Sequence, residues 1–475
     1  MSSSKRLSQS LSGSWKEVES YLQPLQTVVQ PIDAESEDWL ATWRTVFARD
    51  LIDTRIAPVD AETSVEDACE LLLSEDVPCL AVRAQVAEEA SENKSEALYQ
   101  GLFDFADVNA FLTLAATRHT LPPEGLADQP RVNQIISAAK AGRVPVHLVS
   151  NLSDKNPMVI LSHNATLISL LEVFSRGAHR TLIQSAVNPG EFIGMVSDRG
   201  LLSWFDSYAR ETKSFYKYIS NPIQSLPLPS LNLHTSVVSA TSSATILDAM
   251  KLMSEQGVSS IAVVEENSGI LLSAVSVTDI GKMVVPSQSN QVLTTPLHYF
   301  ISQIKEPEGS TDGADRYPVY SVLQSSLLSY TMEKLLATNA HRVFVTRESG
   351  PGSPSMSPSS HKSNITGIVS VVDILSLFAH AAKIPNIDPT QMQRHRRASS
   401  VSSQSSDKEQ FLLNRSRSNS RTSTSRSPIL VASSPPVTPL DLLDGTRNSI
   451  PVLDPLALQR KSSRRSVTSK KGPVI

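Results

Sequence analysis

Short apolar runs rich in β-branched residues alternate along this chain with longer stretches whose apolar residues recur at helical spacing. Runs such as 271–275 (Leu-Leu-Ser-Ala-Val) and 365–369 (Ile-Thr-Gly-Ile-Val) suit buried strands. Residues 64–73, 165–174, 244–253 and 326–335 each open on small or hydroxylated residues and carry an apolar stripe, as in Ile246, Ala249, Met250 and Met253. A turn and a second strand follow each, as at 257–264 and 340–345. The pattern predicts one unit of strand, helix, strand, strand and helix, written four times.

The repeat is sharpest where the last strand meets the last helix. The four copies are Gly101-Leu-Phe-Asp104-Phe-Ala-Asp107, Gly194-Met-Val-Ser197-Asp-Arg-Gly200, Ser273-Ala-Val-Ser276-Val-Thr278-Asp279 and Gly367-Ile-Val-Ser370-Val-Val-Asp373. Ser197, Ser276 and Ser370 stand where an N-cap hydroxyl accepts the first free helical N–H groups, and Asp279 and Asp373 complete capping boxes. A helix N-terminus also favours anions, so the same turn suits a phosphate or a sugar hydroxyl. The plainer reading is that these residues only start helices.

The second strand of each unit begins with Pro78-Cys79, His179-Arg180, Ser259-Ser260 and His341-Arg342 in turn. A guanidinium makes bidentate contacts to phosphate, and an adjacent imidazole adds a donor whose charge responds near neutral pH. The alternative is a partly exposed surface pair with no ligand.

On these motifs the chain resembles the cystathionine-β-synthase (CBS) domain, a module that works in pairs and often holds adenine nucleotides. The resemblance covers about residues 45–382. The arrangement is similar to the γ subunit of AMP-activated protein kinase. It is closer to a fungal family of four-CBS proteins linked to cell separation, DNA replication, nutrient response and restraint of type 2A protein phosphatases. The resemblance implies an α+β fold of four CBS modules in two pairs, one with two and three with four, forming a disc. Helix plus module one would span 36–118, module two 154–212, module three 230–288 and module four 313–382, between a disordered head at 1–35 and a disordered tail at 383–475. It implies phosphate contacts from His179, Arg180, His341 and Arg342, ribose contacts from Asp107, Asp279 and Asp373, and a nucleotide-binding role for Ser276, Thr278 and Ser370. AMP, ADP or ATP would be the ligand, with no cofactor required. Module two ends in Gly200 where the ribose acceptor is expected, modules one and three lack the basic pair, and Ser273 replaces the usual glycine.

Composition agrees with a large folded body. Of 475 residues, 40% are hydrophobic, which supports a substantial core. No apolar stretch reaches a membrane span and the N-terminus has no apolar signal region, so a soluble intracellular protein is expected, and the resemblance implies cytoplasm and nucleus. Cys69 and Cys79 fall in apolar positions, as reduced core thiols rather than a metal pair. No metal is expected, because the histidines show no ligand spacing.

The net charge of −4 conceals an acidic body and a basic tail: from residue 384 onward 15 Lys and Arg face 6 Asp and Glu. The tail is too rich in Ser, Pro and Arg to bury a core, and too poor in aromatics to stack bases, so nucleic acid is not the expected partner. It carries basic-directed sites for phosphorylation at Ser399 and Ser466 and proline-directed ones at Ser427, Ser434 and Thr438. Residues 36–53 read as a capped helix with Trp39, Trp43, Val46 and Phe47 on one face, packed on module one. Residues 84–97 and 348–364 read as surface loops. With no nucleophile, base and orienting residue clustered in sequence, and no phosphate loop, the chain reads as no enzyme. The expectation is a regulatory adaptor for a type 2A phosphatase or a kinase, and the alternative a structural scaffold with empty clefts.

Overall fold

The computed structural model describes residues 29–31, 33–84, 98–117, 129–188, 190–231, 237–287, 290–305, 320–347, 364–389 and 393. Residues 1–28, most of the two surface loops, and residues 394–475 with the five phosphorylation candidates, Ser399, Ser427, Ser434, Thr438 and Ser466, lie outside them, whereas the expected head is described at 29–31 and 33–35, where a helix begins at Asp33, and the expected tail at 383–389 and 393. No helix of the described residues is long and apolar enough to cross a membrane.

The fourfold unit is present. Module one holds β1 (Pro58–Val59), α2 (Val65–Ser74), β2 (Leu80–Arg83), β3 (Tyr99–Phe103) and α3 (Phe105–Thr117), preceded by α1 (Asp33–Trp43) and followed by α4 (Pro130–Lys140). Module two holds β4 (Ile160–Ser162), α5 (Leu167–Ser175), β5 (Arg180–Gln184), β6 (Phe192–Ser197) and α6 (Asp198–Glu211), followed by α7 (Lys213–Ile219). Module three holds β7 (Ser239–Thr241), α8 (Ile246–Glu255), β8 (Ser260–Val264), β9 (Leu271–Ser276) and α9 (Val277–Val284), followed by α10 (Leu297–Lys305). Module four holds β10 (Ser321–Leu323), α11 (Leu328–Ala337), β11 (Arg342–Thr346), β12 (Ile365–Ser370) and α12 (Val371–Ala381).

Every sheet is three-stranded, its first pair parallel and its second antiparallel. A parallel pair needs a crossover, which the amphipathic helix supplies. The register repeats as well. Arg180 pairs with Ser197, Ser260 with Ser276 and Arg342 with Ser370, so in modules two, three and four the start of the second strand lies beside the motif serine that caps the following helix. The expected capping boxes at Ser276 with Asp279 and Ser370 with Asp373 are both formed.

Two kinds of packing close the modules into a ring. Sheets join modules one and two through Cys79, Ala81, Leu102, Leu182 and Met195, and modules three and four through Ala262, Ala274, Phe344 and Ile368. The helices join modules across the two pairs. Helices α5 and α6 of module two share a core with α11 and α12 of module four, and α2 and α3 of module one share one with α8 and α9 of module three. Sheets thus hold the pairs and helices hold one pair to the other, in the ring order one, two, four, three.

The helix before module one departs from expectation. It ends at Trp43, and Trp39 and Trp43 pack on Phe205, Phe215 and Tyr218 of module two and its following helix. Val46 and Phe47 lie beyond it, where the Val46 carbonyl accepts from the Leu167 N–H and Phe47 bridges Thr166. Residues 44–54 are therefore laid along module two, not module one. Cys69 and Cys79 are buried as expected. Burial pushes the Cys79 thiol up to about 12, against the nearby Arg180 charge, which keeps it an unreactive thiol.

Candidate functional site

The ring encloses a cavity of about 1090 Å³, lined by all four modules. Its walls include His179, Arg180, His341, Arg342, Ser276, Thr278 and Asp279 from the expected set. Register explains this convergence: β5, β8 and β11 all begin at the ring centre, so their first side chains meet there. The rings of His179 and His341, from modules in different pairs, are 5.2 Å apart.

Asp198, the first residue of α6, lies between them. Its Oδ2 is 2.8 Å from His179 Nδ1 and 3.7 Å from His341 Nδ1. A carboxylate only accepts, so His179 Nδ1 donates. Burial would raise the Asp198 pKa, but His179 and then His341 hold it well below the usual carboxylate range. Asp198 is 1% exposed, and its Oδ1 has no hydrogen-bond partner among the described residues. Sequence spacing showed no metal set, yet the fold brings ligand atoms of His179, Asp198 and His341 within 4.8 Å of one another. With the Arg180 charge beside it, the group is a buried ion-pair network.

Arg180 donates to Asp104 Oδ2 of module one at 3.2 Å and to Asn156 Oδ1, in the segment leading into β4, at 3.3 Å. Asp104 takes the place of the motif serine in its module and accepts from the Ala106 N–H at 2.7 Å. On the module-three wall, Asp279 Oδ1 accepts from Lys305 Nζ at 2.7 Å. Burial opposes the Lys305 charge, but Asp279 outweighs it and raises the pKa.

Three expected residues lie elsewhere: Asp107, Asp373 and Ser370 do not line the central cavity. Asp107 is fully buried, its Oδ1 accepting from Ser153 Oγ at 2.7 Å and Ser153 N at 2.9 Å, its Oδ2 from Asn156 Nδ2 at 3.2 Å. Asp373, 1% exposed, accepts from Ser230 Oγ at 2.7 Å. A Cβ at Gly367 would stand 1.7 Å from the Leu231 carbonyl oxygen, so only glycine lets this linker lie on the motif. In modules one and four a linker serine therefore occupies the place where a ribose hydroxyl was expected.

Sequence reasoning missed Asp53, Asp198 and Lys305. Asp198 was within reach, because the equivalent positions in the other copies are Phe105, Val277 and Val371. Asp53 and Lys305 arrive from outside the motifs, with no local signal.

Known proteins share sequence with this chain. The CBS domain family model matches residues 231–284, which is module three. Protein sds23 of Aspergillus niger is 29% identical over 408 residues, covering 76% of this chain and 77% of that protein. Protein sds23/moc1 of Schizosaccharomyces pombe is 29% identical over 352 residues, covering 71% and 80%. Among solved structures, Protein MJ1225 from Methanocaldococcus jannaschii aligns with a TM-score of 0.44 at 14% identity, over 70% of this chain and all of that one. The chain is a four-module CBS-domain protein, and the fungal Sds23 proteins are its homologues.

Proposed function

We propose that this CBS-domain regulatory protein is a non-catalytic adaptor whose central cavity binds an adenine nucleotide, and that it acts on a type 2A protein phosphatase or a kinase. The observation that carries the nucleotide reading is the meeting of two His-Arg pairs, from modules two and four, in one cavity. The cavity walls carry Arg180, Arg199 and Arg342, and the buried Nε of Arg199 has no hydrogen-bond partner among the described residues. A phosphate there gains charge-assisted bonds from several cationic side chains at once. Ser276, Thr278 and Asp279 on the facing wall offer hydroxyls and a carboxylate to the sugar end.

A ligand spanning these walls touches modules two, three and four at once. It stabilises the closed ring over any opened form by its differential affinity, and so changes what the outer surface presents to a protein partner. The partner class, a role in nutrient response, DNA replication and cell separation, and action in cytoplasm and nucleus are read from the family resemblance of the repeat. Turnover is not expected: the arginines and histidines hold phosphate, and Asp198 is already engaged by His179 instead of facing a water as a base.

The rival reading is a structural scaffold with no small ligand, favoured by the linker serines already seated on Asp107 and Asp373. Calorimetric titration with AMP, ADP and ATP separates the two. Saturable binding supports the sensor, and no heat with any of the three supports the scaffold.

A further inference from the structure

Module two lacks the motif aspartate, with Gly200 in its place, yet a carboxylate is present at that point in space. It belongs to Asp53, which reaches module two from the segment before module one. Its Oδ1 accepts from the Ser197 N–H at 3.1 Å and its Oδ2 from the Ser197 hydroxyl. In module three the same two donors of Ser276 go to Asp279, at 2.9 and 2.8 Å. The glycine is what makes room: a Cβ at position 200 would stand 2.1 Å from Asp53 Oδ2. The segment is held in register by the Met195 N–H donating to the Thr54 carbonyl at 2.9 Å and the Thr54 N–H to the Met195 carbonyl at 3.2 Å.

Asp53 differs from Asp107 and Asp373 in being exposed and on the cavity wall. Its carboxylate accepts from Ser197 N, Ser197 Oγ and, at 3.0 Å, Thr54 Oγ1. An ionised carboxylate has about four acceptor positions, so one remains for a ligand. A second feature of the same wall points to a ligand: the buried Oδ1 of Asp198, without a hydrogen-bond partner among the described residues.

We propose that Asp53 is the hydroxyl-accepting carboxylate of module two, supplied from outside the repeat, and that it binds a sugar hydroxyl of the molecule held in the central cavity. The ligand half of this rests on the nucleotide reading above; the replacement of the motif carboxylate does not.

The test is a four-protein cycle on the full chain: wild type, Asp53→Ala, Gly200→Asp and the double variant, each followed by thermal unfolding and by titration with AMP and with inorganic phosphate. Either single change lowers Tm, the first by removing the acceptor from Ser197 and the second by collision with Asp53. The double variant regains most of the loss, since the carboxylate then comes from position 200. AMP affinity falls roughly tenfold in Asp53→Ala, the cost of one charge-assisted hydrogen bond, and returns in the double variant. Phosphate affinity, which involves no hydroxyl of a sugar, stays within about twofold across the cycle. Additive loss of Tm in the double variant overturns the replacement. Unchanged AMP affinity in a folded Asp53→Ala overturns the ligand contact. Wild type binding neither AMP nor phosphate defeats the nucleotide reading and the ligand contact together, while the Tm cycle still decides the replacement.

Discussion

The hydroxyl of Ser230 donates to Oδ1 of Asp373 at 2.7 Å, joining the linker before module three to the helix start of module four across 143 residues. Burial raises the Asp373 pKa, and the bonds from Ser370 and Ser230 work against that rise. A buried carboxylate oxygen stripped of its donor incurs a full desolvation penalty. Ser230→Ala should therefore cost about 1–3 kcal/mol in urea unfolding. Gly367→Ala should cost at least as much, because the added methyl meets the Leu231 carbonyl rather than a yielding side chain. If both variants unfold at the wild-type midpoint, the linker is not seated on the motif.

Asp107 gives a pH dependence of definite sign. Burial, and then the Asp104 charge, raise it to about 7, above the ordinary carboxylate range, against the donors from Ser153. The folded state then holds a proton that the unfolded state has lost, so this group's contribution is present in acid and declines as pH rises through 7. Wild type should lose stability relative to Asp107→Asn between pH 5 and pH 8, by on the order of 2 kcal/mol. A difference between the two proteins that does not change with pH would show Asp107 ionised throughout.

The repeat, the order of elements in each module and the capping boxes were legible because they are local: period, hydroxyl and carboxylate spacing lie within ten or so residues. That His179 and His341 share one site was legible only through the family resemblance, which gave both a phosphate contact. Three things were not. The exchange of helix cores between pairs depends on which of four similar apolar faces meet, and Ile246 and Leu328 carry no mark of their partners. The contacts of Ser153, Ser230 and Asp53 with distant motifs come from linkers whose composition is unremarkable. The aromatic face of α1 was visible, but Trp43 names no partner, and the choice of Phe205 and Phe215 follows from a chain path only the fold reveals.

Trp43 is fully buried between module two and the helix that follows it. Trp43→Ala should cost about 3–5 kcal/mol, the range for a large aromatic removed from a packed core. Its loss should also loosen residues 44–54, and with them the seat of Asp53, seen as faster amide exchange at Ala48 and Thr54, whose N–H groups donate to Ala165 and Met195. Normal protection at those amides in the variant would mean that α1 packs without positioning the segment behind it.

In the proposed function the cavity lined by all four modules is a ligand site built on Arg342 as well as Arg180. Calorimetric titration of wild type, Arg342→Ala and Ser230→Ala with AMP tests it most directly, each protein first checked for folding by thermal unfolding. Wild type should bind, Arg342→Ala should bind about 10- to 150-fold more weakly through loss of a charge-assisted phosphate contact, and Ser230→Ala, outside the cavity, should match wild type. Equal AMP affinity in wild type and folded Arg342→Ala would contradict the claim.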